Sequence, residues 1–494
     1  MPASPCAVDH PVLDVLIIGA GLSGIGAACQ LQQQCPEKRF AIFEARDAIG
    51  GTWDLFRYPG IRSDSDMYTL GYRFKPWTNP QAIADGPSIL AYIRETAKEA
   101  DITRHIRFGL KVVSAAWSSD DACWTVVVEN TAGGERTTLQ ARFVYACSGY
   151  YSYDEAYRPA FPGEAEFKGR LVLPQFWPKD LDYTGKRVVV IGSGATAVTI
   201  VPSMAEHAAH VTMLQRSPSY VVTRPAVDRI AQGLRAVLPQ GLAYRLTRWK
   251  NVLVGMFFFK LARSRPAQVK QSIVKMAARQ LEPGYDVATH FTPGYNPWDQ
   301  RVCAVPDGDL FRAIRQGRAS VVTDTIAHFT PDGIKLASGK ELAADVVVIA
   351  TGLQLKILGG MTLEIDGKPF VPSESMAYKG MMLGDLPNFA TAFGYTNSSW
   401  TLKADLTAGY VCRLLQYMDK HGKRMAVPRR EQGVQPEPFL NFTSGYVQRA
   451  RHLLPKQGSR RPWQVYQNYL QDLLTIRFGR IDDGVMQFEP TETR

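Results

Sequence analysis

The sequence contains the same glycine-rich signature twice, and this repeat constrains the fold more than any other feature. The first copy reads VLIIGAGLSG over 15–24, and the second reads VVVIGSGATA over 188–197. In each copy an apolar, β-branched strand leads into G-x-G-x-x-G or G-x-G-x-x-A, the turn that binds a dinucleotide pyrophosphate. The helix that follows directs its free N–H groups at the phosphate. Two such turns predict two dinucleotides in one protein, and therefore electron transfer between them.

The residue that ends the second strand of each module predicts which dinucleotide binds there. The strand Arg39 to Phe43 leads into Glu44, 20 residues after Gly24, where a carboxylate accepts hydrogen bonds from an adenosine ribose. In the second module Gln215 and Arg216 hold this place, and a guanidinium accommodates the 2′-phosphate of NADP. We therefore assign FAD to the first module and NADPH to the second.

The composition is that of an ordinary globular enzyme. The chain has 494 residues, of which 45% are hydrophobic and 21% charged, so two to three domains are expected. Its formal net charge of +11 could indicate nucleic acid or an anionic membrane. However, the basic residues look scattered and form no block of five, and both dinucleotides are polyanions. We interpret the charge as serving the cofactors and predict no nucleic-acid partner.

The cysteines and histidines predict neither a disulfide framework nor a metal site. Seven cysteines occur at irregular spacing without C-x-x-C, which also argues against a flavin disulfide reductase. The eight histidines form no H-x-x-x-H or H-E-x-x-H pattern. Because the sequence shows neither a signal peptide nor an apolar run of about 18 residues, we expect a cytoplasmic protein.

The pattern of strands and helices predicts an α/β fold with two Rossmann-like dinucleotide-binding domains and a helical insertion. We expect an FAD domain from 1–155 and 353–494, an NADP domain from 156–224 and 301–352, and the insertion at 225–300. Three alternating stretches near 112–117, 124–128 and 137–146 predict a small antiparallel meander. In the insertion, 248–281 is basic with helical periodicity. Its apolar residues either pack on neighbours, which we favour, or touch a membrane surface, and this second possibility stays open.

The segment between the modules carries a family resemblance. FKGRLVLPQFWP over 167–178 resembles the fingerprint F-x-G-x-x-x-H-x-x-x-W-P of the type I Baeyer–Villiger flavin monooxygenases, except that Leu173 replaces the histidine. The stretches 50–66, 296–301, 376–382 and 394–405 are similar to the ethionamide monooxygenase subgroup and to bacterial flavoproteins of long-chain alkane oxidation. The resemblance covers nearly the full length.

This resemblance implies a reaction. In the family, NADPH reduces the flavin, and O₂ then adds to the flavin C4a as a peroxide. That peroxide inserts one oxygen into a ketone, giving an ester or lactone, or oxidises a sulfide or thioamide sulfur. Four different functions stay open beside this one: hydroxylation of long alkyl chains, N- or S-oxygenation, electron transfer to a partner protein as a reductase, and non-catalytic nucleotide sensing. The implied partners are a small organic substrate and O₂, and the protein is either a monomer or a homo-oligomer.

The resemblance also implies catalytic residues. Arg301 matches the family's catalytic arginine, and Asp64 matches the carboxylate near the flavin that orients it. In the family the fingerprint histidine acts in the linker to the NADP domain. Its replacement by Leu173 therefore predicts altered coupling between NADPH use and product, with leakage of peroxide, and an unchanged reaction class.

The two turns and the resemblance together predict a set of cofactor-binding positions. By family position, Trp53 and Trp400 border the flavin, and Asn397 and Thr401 hydrogen-bond its ring. The full set is Gly19, Gly21, Ser23, Gly24, Glu44, Thr52, Trp53, Asp54, Leu55, Arg62, Ser63, Asp64, Val112, Gly192, Ser193, Gly194, Ala195, Thr196, Ala197, Gln215, Arg216, Asn397 and Trp400.

Overall fold

The computed structural model describes residues 12–490. It contains two main sheets whose central strands are parallel, and one strand of each sheet leads into a glycine turn. The predicted α/β class with two Rossmann-like units is confirmed. The exact domain limits stay a prediction, and residues 1–11 and 491–494 of the expected FAD domain, with Cys6 among them, lie outside the described residues.

The first sheet has nine strands around the strand Leu13–Ile18. This strand pairs in parallel with Phe40–Glu44 on one side and with Arg136–Ala146 on the other. Val15 to Ile18 and the whole of Phe40–Glu44 are buried, as expected for strands covered on both faces. The other six strands are Ile106–Phe108, Leu110–Ser118, Cys123–Asn130, Thr362–Ile365, Lys368–Phe370 and Phe389–Thr391.

The closing segment of the chain completes this first sheet, as the sequence predicts. Thr362–Ile365 pairs in parallel with Leu110–Ser118, the first strand of the meander. Phe389–Thr391 pairs in parallel with the end of Arg136–Ala146. The three meander strands are antiparallel, which confirms the prediction made from their alternation.

The second sheet has five parallel strands in the order Ala319–Thr323, His210–Gln215, Arg187–Ile191, Val346–Ile349 and Arg170–Val172. A small antiparallel sheet lies beside it, formed by Ile326–Thr330, Gly333–Leu336 and Glu341–Ala343. The described residues also form these short strand pairs: Val221–Arg224 with Cys303–Pro306, Ala377–Tyr378 with Met382–Leu383, Lys423–Pro428 with Met486–Pro490, and Pro436–Pro438 with Lys456–Gly458.

Helices cover the sheets and form the insertion. The first unit and the closing segment contribute Leu22–Gln34, Thr52–Leu55, Met67–Leu70, Gly86–Glu99, Thr103–His105, Ile357–Gly360, Pro372–Glu374, Trp400–Lys420, Gly445–Arg449, Tyr469–Asp472 and Leu473–Arg477. The second unit and the segment before it contribute Glu164–Glu166, Pro174–Phe176, Ala195–Met204 and Asp309–Arg315. The insertion contributes Arg229–Val237, Gln240–Ser264, Pro266–Ala278 and Val287–Phe291, as its helical periodicity predicts.

The long insertion helix Gln240–Ser264 is anchored on the first unit by Arg248. This buried guanidinium donates to the backbone carbonyls of Tyr68, Thr69 and Gly71, and it pairs with Asp405 at 3.2 Å. The partners are three backbone carbonyls and the buried Asp405 carboxylate, so Arg248 determines which face of the helix points inward.

The favoured prediction that the apolar residues of this helix pack on neighbours is only partly right. Val252 is buried, and Met256 is partly buried against the first core. Leu253, Phe257 and Phe258 are at least half exposed, so for these three the prediction is wrong. The pattern of a buried helix and that of an outward-facing apolar stripe have the same period, and the sequence alone did not separate them.

Candidate functional site

The first glycine turn has the shape that a pyrophosphate needs. Gly19 adopts φ +102°, and a Cβ there would come 2.8 Å from the carbonyl oxygen of Cys147. A Cβ at Gly24 would come 1.8 Å from the carbonyl oxygen of Gly19, so only glycine allows this approach of helix to strand. Gly21 precedes the helix Leu22–Gln34 and forms a bridge with Gly50, which brings a second glycine pair to the same edge.

Glu44 lies beside this turn, as predicted. One carboxylate oxygen accepts from the Ala20 N–H at 2.8 Å, and the other accepts from the Arg46 N–H at 2.9 Å. Burial raises the pKa of the Glu44 carboxyl, and these two N–H donors oppose that rise. The carboxylate is therefore held at the end of the strand Phe40–Glu44, next to the turn, where a ribose hydroxyl can donate to it.

The second glycine turn repeats this geometry with more open space. Gly192 adopts φ +141°, and a Cβ there would come 2.3 Å from the carbonyl oxygen of Ala350. Gly194 begins the helix Ala195–Met204, and a Cβ there would meet no atom of the described chain within 4 Å. Ser193 bonds to the hydroxyl of Ser219. The space in front of Gly194 is what an incoming pyrophosphate requires.

Arg216 and Gln215 play different parts at the end of the strand His210–Gln215. Arg216 is exposed, and its side chain has no hydrogen bond or ion pair with any residue in 12–490. Gln215 is buried and donates to the His290 carbonyl at 2.8 Å and to Thr323 at 2.9 Å. The Arg216 guanidinium is thus available for a phosphate. The Gln215 amide instead forms a hydrogen bond between the second sheet and the insertion.

The loop 50–66, which we call the predicted flavin loop, contains the buried carboxylate of Asp54, around which charged side chains form a cluster. This carboxylate is 1% exposed and pairs with Arg46 at 2.6 Å, Arg57 at 3.2 Å and Arg94 at 3.0 Å. Its side chain is therefore committed to the loop, and a cofactor contact at Asp54 would come from its backbone.

Removal of this carboxylate should destabilise the loop. Asp54→Ala leaves three arginines without their shared partner, and breaking a buried pair costs about 3–5 kcal/mol. Because the three arginines are partly solvated, we expect a loss of about 3 kcal/mol in the free energy of unfolding, measured by urea denaturation. Asp47→Ala, at an exposed carboxylate nearby, is the control. Equal stability of the two variants would show that the cluster contributes nothing.

The neighbouring positions Thr52, Trp53 and Leu55 lie in the short helix Thr52–Leu55, directly after the Gly50–Gly51 pair. Thr52 lies 3.4 Å from the Tyr153 hydroxyl, and Trp53 is partly buried against the first core. Val112 is buried in the meander, immediately before a shift of strand register.

Arg62 connects the loop to the second unit. It pairs with Asp309, at the start of the helix Asp309–Arg315, with a shortest distance of 2.5 Å. Ser63 is buried and accepts from the Ser65 N–H. Gly60 packs so tightly that a Cβ there would come 1.9 Å from the Ser203 hydroxyl on the helix Ala195–Met204. The loop therefore packs against the helix that follows the second glycine turn.

Arg301 lies where the two units meet, in a cluster of aromatic hydroxyls. Its pKa is held well above the usual arginine range, first by Tyr446 and then by Tyr150, Tyr151 and Asp64. Burial raises the pKa of the Tyr150 phenol, and the positive charge of Arg301 opposes that rise. Arg301 therefore stays positively charged at any working pH, as a group that stabilises negative charge must.

Asp64 faces Arg301 as the resemblance implies. Burial raises the pKa of the Asp64 carboxyl, and the charges of Arg301, Arg62 and Arg224 limit the rise, in that order. Arg224 also donates to the Asp64 carbonyl at 3.4 Å. The structure thus brings together the two predicted catalytic residues, although they are far apart in the chain.

The tyrosines of this cluster are absent from the predicted set. Tyr150 and Tyr151 come directly after the strand Arg136–Ala146 and its small residues, at the carboxyl edge where α/β sheets bind ligands. This position at the carboxyl edge of the sheet is a sequence signal from which Tyr150 and Tyr151 could have been predicted as site residues. Tyr446 comes from the closing segment, where no sequence motif indicated a functional residue.

Asn397 and Trp400 lie next to this cluster. The Trp400 indole donates to the Ser23 hydroxyl at 2.7 Å and stacks on Tyr150 at 5.2 Å between ring centroids. Asn397 donates to the Gln467 carbonyl at 2.8 Å, and its amide oxygen is buried without a partner among the described residues. A buried oxygen without a donor suits a cofactor N–H, and the contact of Asn397 with the flavin ring stays a prediction. Thr401, in contrast, donates its hydroxyl to the Leu70 carbonyl.

Leu173, at the position of the fingerprint histidine, lies in a pocket between the units. The lining of this pocket includes Phe56, Tyr157, Thr196 and Gly352. Leu173 also packs against the apolar core that contains Phe167 of the same fingerprint. It offers neither a proton nor a hydrogen bond to this junction.

Leu173→His should therefore improve coupling. We expect less hydrogen peroxide per NADPH consumed than in the wild type, because the imidazole restores a hydrogen-bonding group beside the second turn. Oxygenated product and peroxide are to be quantified in the same reaction, and Leu173→Met, which keeps the apolar contact, is the control. An unchanged ratio of product to NADPH in the histidine variant would refute this expectation.

The described residues hold no metal site and no membrane span. Within 12–490, no group of three or more His, Cys, Asp or Glu side chains could hold an ion. None of the helices in that range combines the length and apolarity that crossing a bilayer needs.

Comparison with known proteins agrees with this geometry. The family described as flavin-binding monooxygenase-like matches residues 78–355, and an NAD(P)-binding Rossmann-like domain matches 17–78. The chain is 55% identical to the FAD-containing monooxygenase EthA of Mycobacterium tuberculosis, over 96% of this chain and 97% of that protein. It is 49% identical to the probable FAD-binding monooxygenase AlmA of Acinetobacter baylyi, over 97% and 96%.

Solved structures share the fold. Oxidized steroid monooxygenase bound to NADP superposes with a TM-score of 0.76 at 22% identity, over 97% of this chain and all of that one. OTEMO in complex with FAD and NADP gives 0.69 at 24% identity, over 85% and 88%. The chain belongs to the flavin-binding monooxygenase-like family, and it is an FAD-dependent NADPH monooxygenase.

Proposed function

We propose that this monooxygenase inserts one oxygen atom into ketones, giving esters or lactones, and that it also oxidises sulfides and thioamides. The observation that carries the proposal is the half-buried Arg301 cluster at the meeting point of the two glycine-turn units. Bound FAD and NADPH supply the redox chemistry and the activation of O₂, and the protein supplies binding, orientation and electrostatics.

The described residues fit both cofactors. The cradle at Gly19, Gly21 and Gly24, with Glu44 beside it, suits the FAD pyrophosphate and ribose. Gly192, Gly194 and Arg216 suit NADPH in the same way. The partnerless amide oxygen of Asn397 suits the flavin ring.

Within this site we assign electrostatic catalysis to Arg301. As a substrate carbonyl oxygen gains negative charge, a fixed guanidinium stabilises that charge where it forms, which is commonly the largest catalytic contribution. Asp64 holds the guanidinium from the flavin loop, and Tyr150 and Tyr446 cover it from the strand end and the closing segment.

The substrate is an apolar organic molecule in this proposal. A pocket reaches Tyr150, and Phe393, Met381, Phe439 and Leu454 are among its lining residues. Because this lining is largely apolar, hydroxylation of long alkyl chains is a second candidate. The same apolar lining suits a ketone or sulfide with an apolar body as well as part of an alkyl chain.

Product analysis tests the proposal. The purified holoenzyme is given NADPH, O₂ and, in separate reactions, a cyclic ketone, an aryl methyl sulfide and a long alkane, with peroxide tracked throughout. We expect a lactone and a sulfoxide. Conversion of the alkane alone would favour the second candidate, and peroxide as the sole product of every reaction would contradict both.

We also infer that the enzyme works in the cytoplasm. All six described cysteines are free and buried, which suits a reducing compartment.

A further inference from the structure

The net positive charge of this protein comes from one part of the helical insertion, residues 229–281. Residues 229–281 contain 11 of the 57 Lys and Arg residues and neither Asp nor Glu, and the rest of the chain holds 46 residues of each sign. The whole net charge of +11 therefore corresponds to this one segment. The interpretation of the basic residues as scattered is wrong.

The same segment presents an apolar stripe to solvent. Leu242, Leu246, Trp249, Leu253 and Phe257, at helical spacing on Gln240–Ser264, are between 38% and 62% exposed; we call these five residues the outer stripe. They lie opposite the buried face that carries Arg248. A helix with Leu, Trp and Phe on its outer face and basic residues around them is typical of elements that lie in a membrane interface.

The surface around the outer stripe extends the same chemistry. The Trp249 ring lies 5.9 Å from Tyr469, which begins the segment that exposes Leu474 and Phe478. The exposed Arg477 lies over the Phe478 ring. Exposed apolar and cationic side chains therefore occur both on the helix Gln240–Ser264 and on this neighbouring segment, which touch through Trp249 and Tyr469.

We propose that this face docks onto an anionic lipid bilayer, with the outer stripe inserted among the headgroups and the surrounding Lys and Arg residues paired with lipid phosphates. The charge argues for this occupant. A second copy of the chain using the same face would bring together two segments that each contain 11 cationic side chains and no anionic one. Within residues 12–490, only Arg248, Lys250 and Arg263 of these cations pair with carboxylates, and those carboxylates lie outside the segment, on Asp405, Asp228 and Asp299. A nucleic acid would pair with the cations and leave five apolar side chains in water. The proposal holds whatever the enzyme's substrate is.

Vesicle flotation of the FAD-loaded, full-length enzyme tests the proposal. We expect binding to vesicles of phosphatidylcholine with phosphatidylglycerol, little binding to pure phosphatidylcholine, and weakening with salt. Arg245→Gln together with Lys260→Gln removes two exposed cations beside the stripe, and about 30-fold weaker partitioning is expected. Lys168→Gln with Lys179→Gln is the matched control outside the segment and should bind as the wild type does.

The apolar contribution is tested separately. Leu253→Gln should weaken partitioning about tenfold, because it places an amide where a half-exposed leucine would insert. Val371→Gln, at a position of similar exposure (45% against 50%), should have no effect. Flavin absorbance and the urea midpoint of each variant establish that it is folded. If Leu253→Gln is unstable, the double variant Arg245→Gln with Lys260→Gln and the comparison of the two vesicle compositions test the proposal without it.

Three results would overturn the proposal. The first is no flotation with either vesicle, or equal flotation with both. The second is a wild-type dimer in sedimentation equilibrium that Leu253→Gln converts to a monomer, which would give the face to a second copy. The third is binding to RNA that competes fully with the vesicles and is insensitive to Leu253→Gln, which would give it to nucleic acid.

Discussion

Arg301→Ala should leave a yellow, FAD-bound protein whose rate of product formation is about 10²–10³ lower than that of the wild type. The guanidinium lies in a half-buried cluster with Asp64, Tyr150 and Tyr446, where a fixed charge is screened less than in bulk water. The variant should still consume NADPH, since the predicted NADPH contacts lie at the second glycine turn and Arg216.

Product and NADPH consumption must be measured together to assign this role. Arg301→Lys, which keeps the charge but not the planar donor geometry, should recover only part of the rate. Arg136→Ala, which breaks an exposed ion pair with Glu129, is the control and should behave as the wild type does. Product formation at the wild-type rate in Arg301→Ala would remove this residue from the mechanism.

Arg216→Gln should raise the KM for NADPH about 10- to 100-fold and leave the KM for NADH nearly unchanged. A charge-assisted hydrogen bond to a phosphate contributes about 1.5–3 kcal/mol, and only NADPH carries the 2′-phosphate. The Arg216 side chain is exposed at the strand end, and it has no ion pair elsewhere in residues 12–490 that would compete for it.

Steady-state kinetics with both nicotinamides measures this preference. Arg318→Gln, at an exposed arginine in the same unit before the strand Ala319–Thr323, is the control. If the wild type used NADH as well as NADPH at equal concentration, or if Arg216→Gln lost both coenzymes equally, the role given to Arg216 would be wrong.

Much of the fold could be predicted from local sequence, because glycine turns and strand ends are short-range features. The two turns, Glu44 at one strand end and Arg216 at the other all lie where the sequence places them. Each depends on a short run of neighbouring residues, and backbone geometry permits few arrangements at such a turn. The meander and the helical insertion were predictable for the same reason.

What the sequence did not reveal depends on contacts between distant segments. Gln215 carries the spacing of a cofactor residue, but its amide binds His290 of the insertion. Asp54 sits in a loop similar to flavin-binding loops, but its carboxylate binds three arginines, one of them 40 positions away. Tyr446 reaches Arg301 from the closing segment. None of these pairings has a local period or motif.

The outer stripe shows a different limit of prediction from the sequence. Its helical spacing fits burial and exposure equally well, and the buried Arg248 is what decides which side faces inward. The sequence does not mark Arg248 as different from the other basic residues of the segment, although it anchors the buried face.

Anaerobic mixing of the purified enzyme with NADPH tests the central claim most directly. The account predicts that the visible flavin absorbance bleaches on mixing and returns when O₂ is admitted with substrate, with one oxygen recovered in the product. A protein that stays colourless after incubation with FAD, or a bound flavin that NADPH does not bleach, would contradict it.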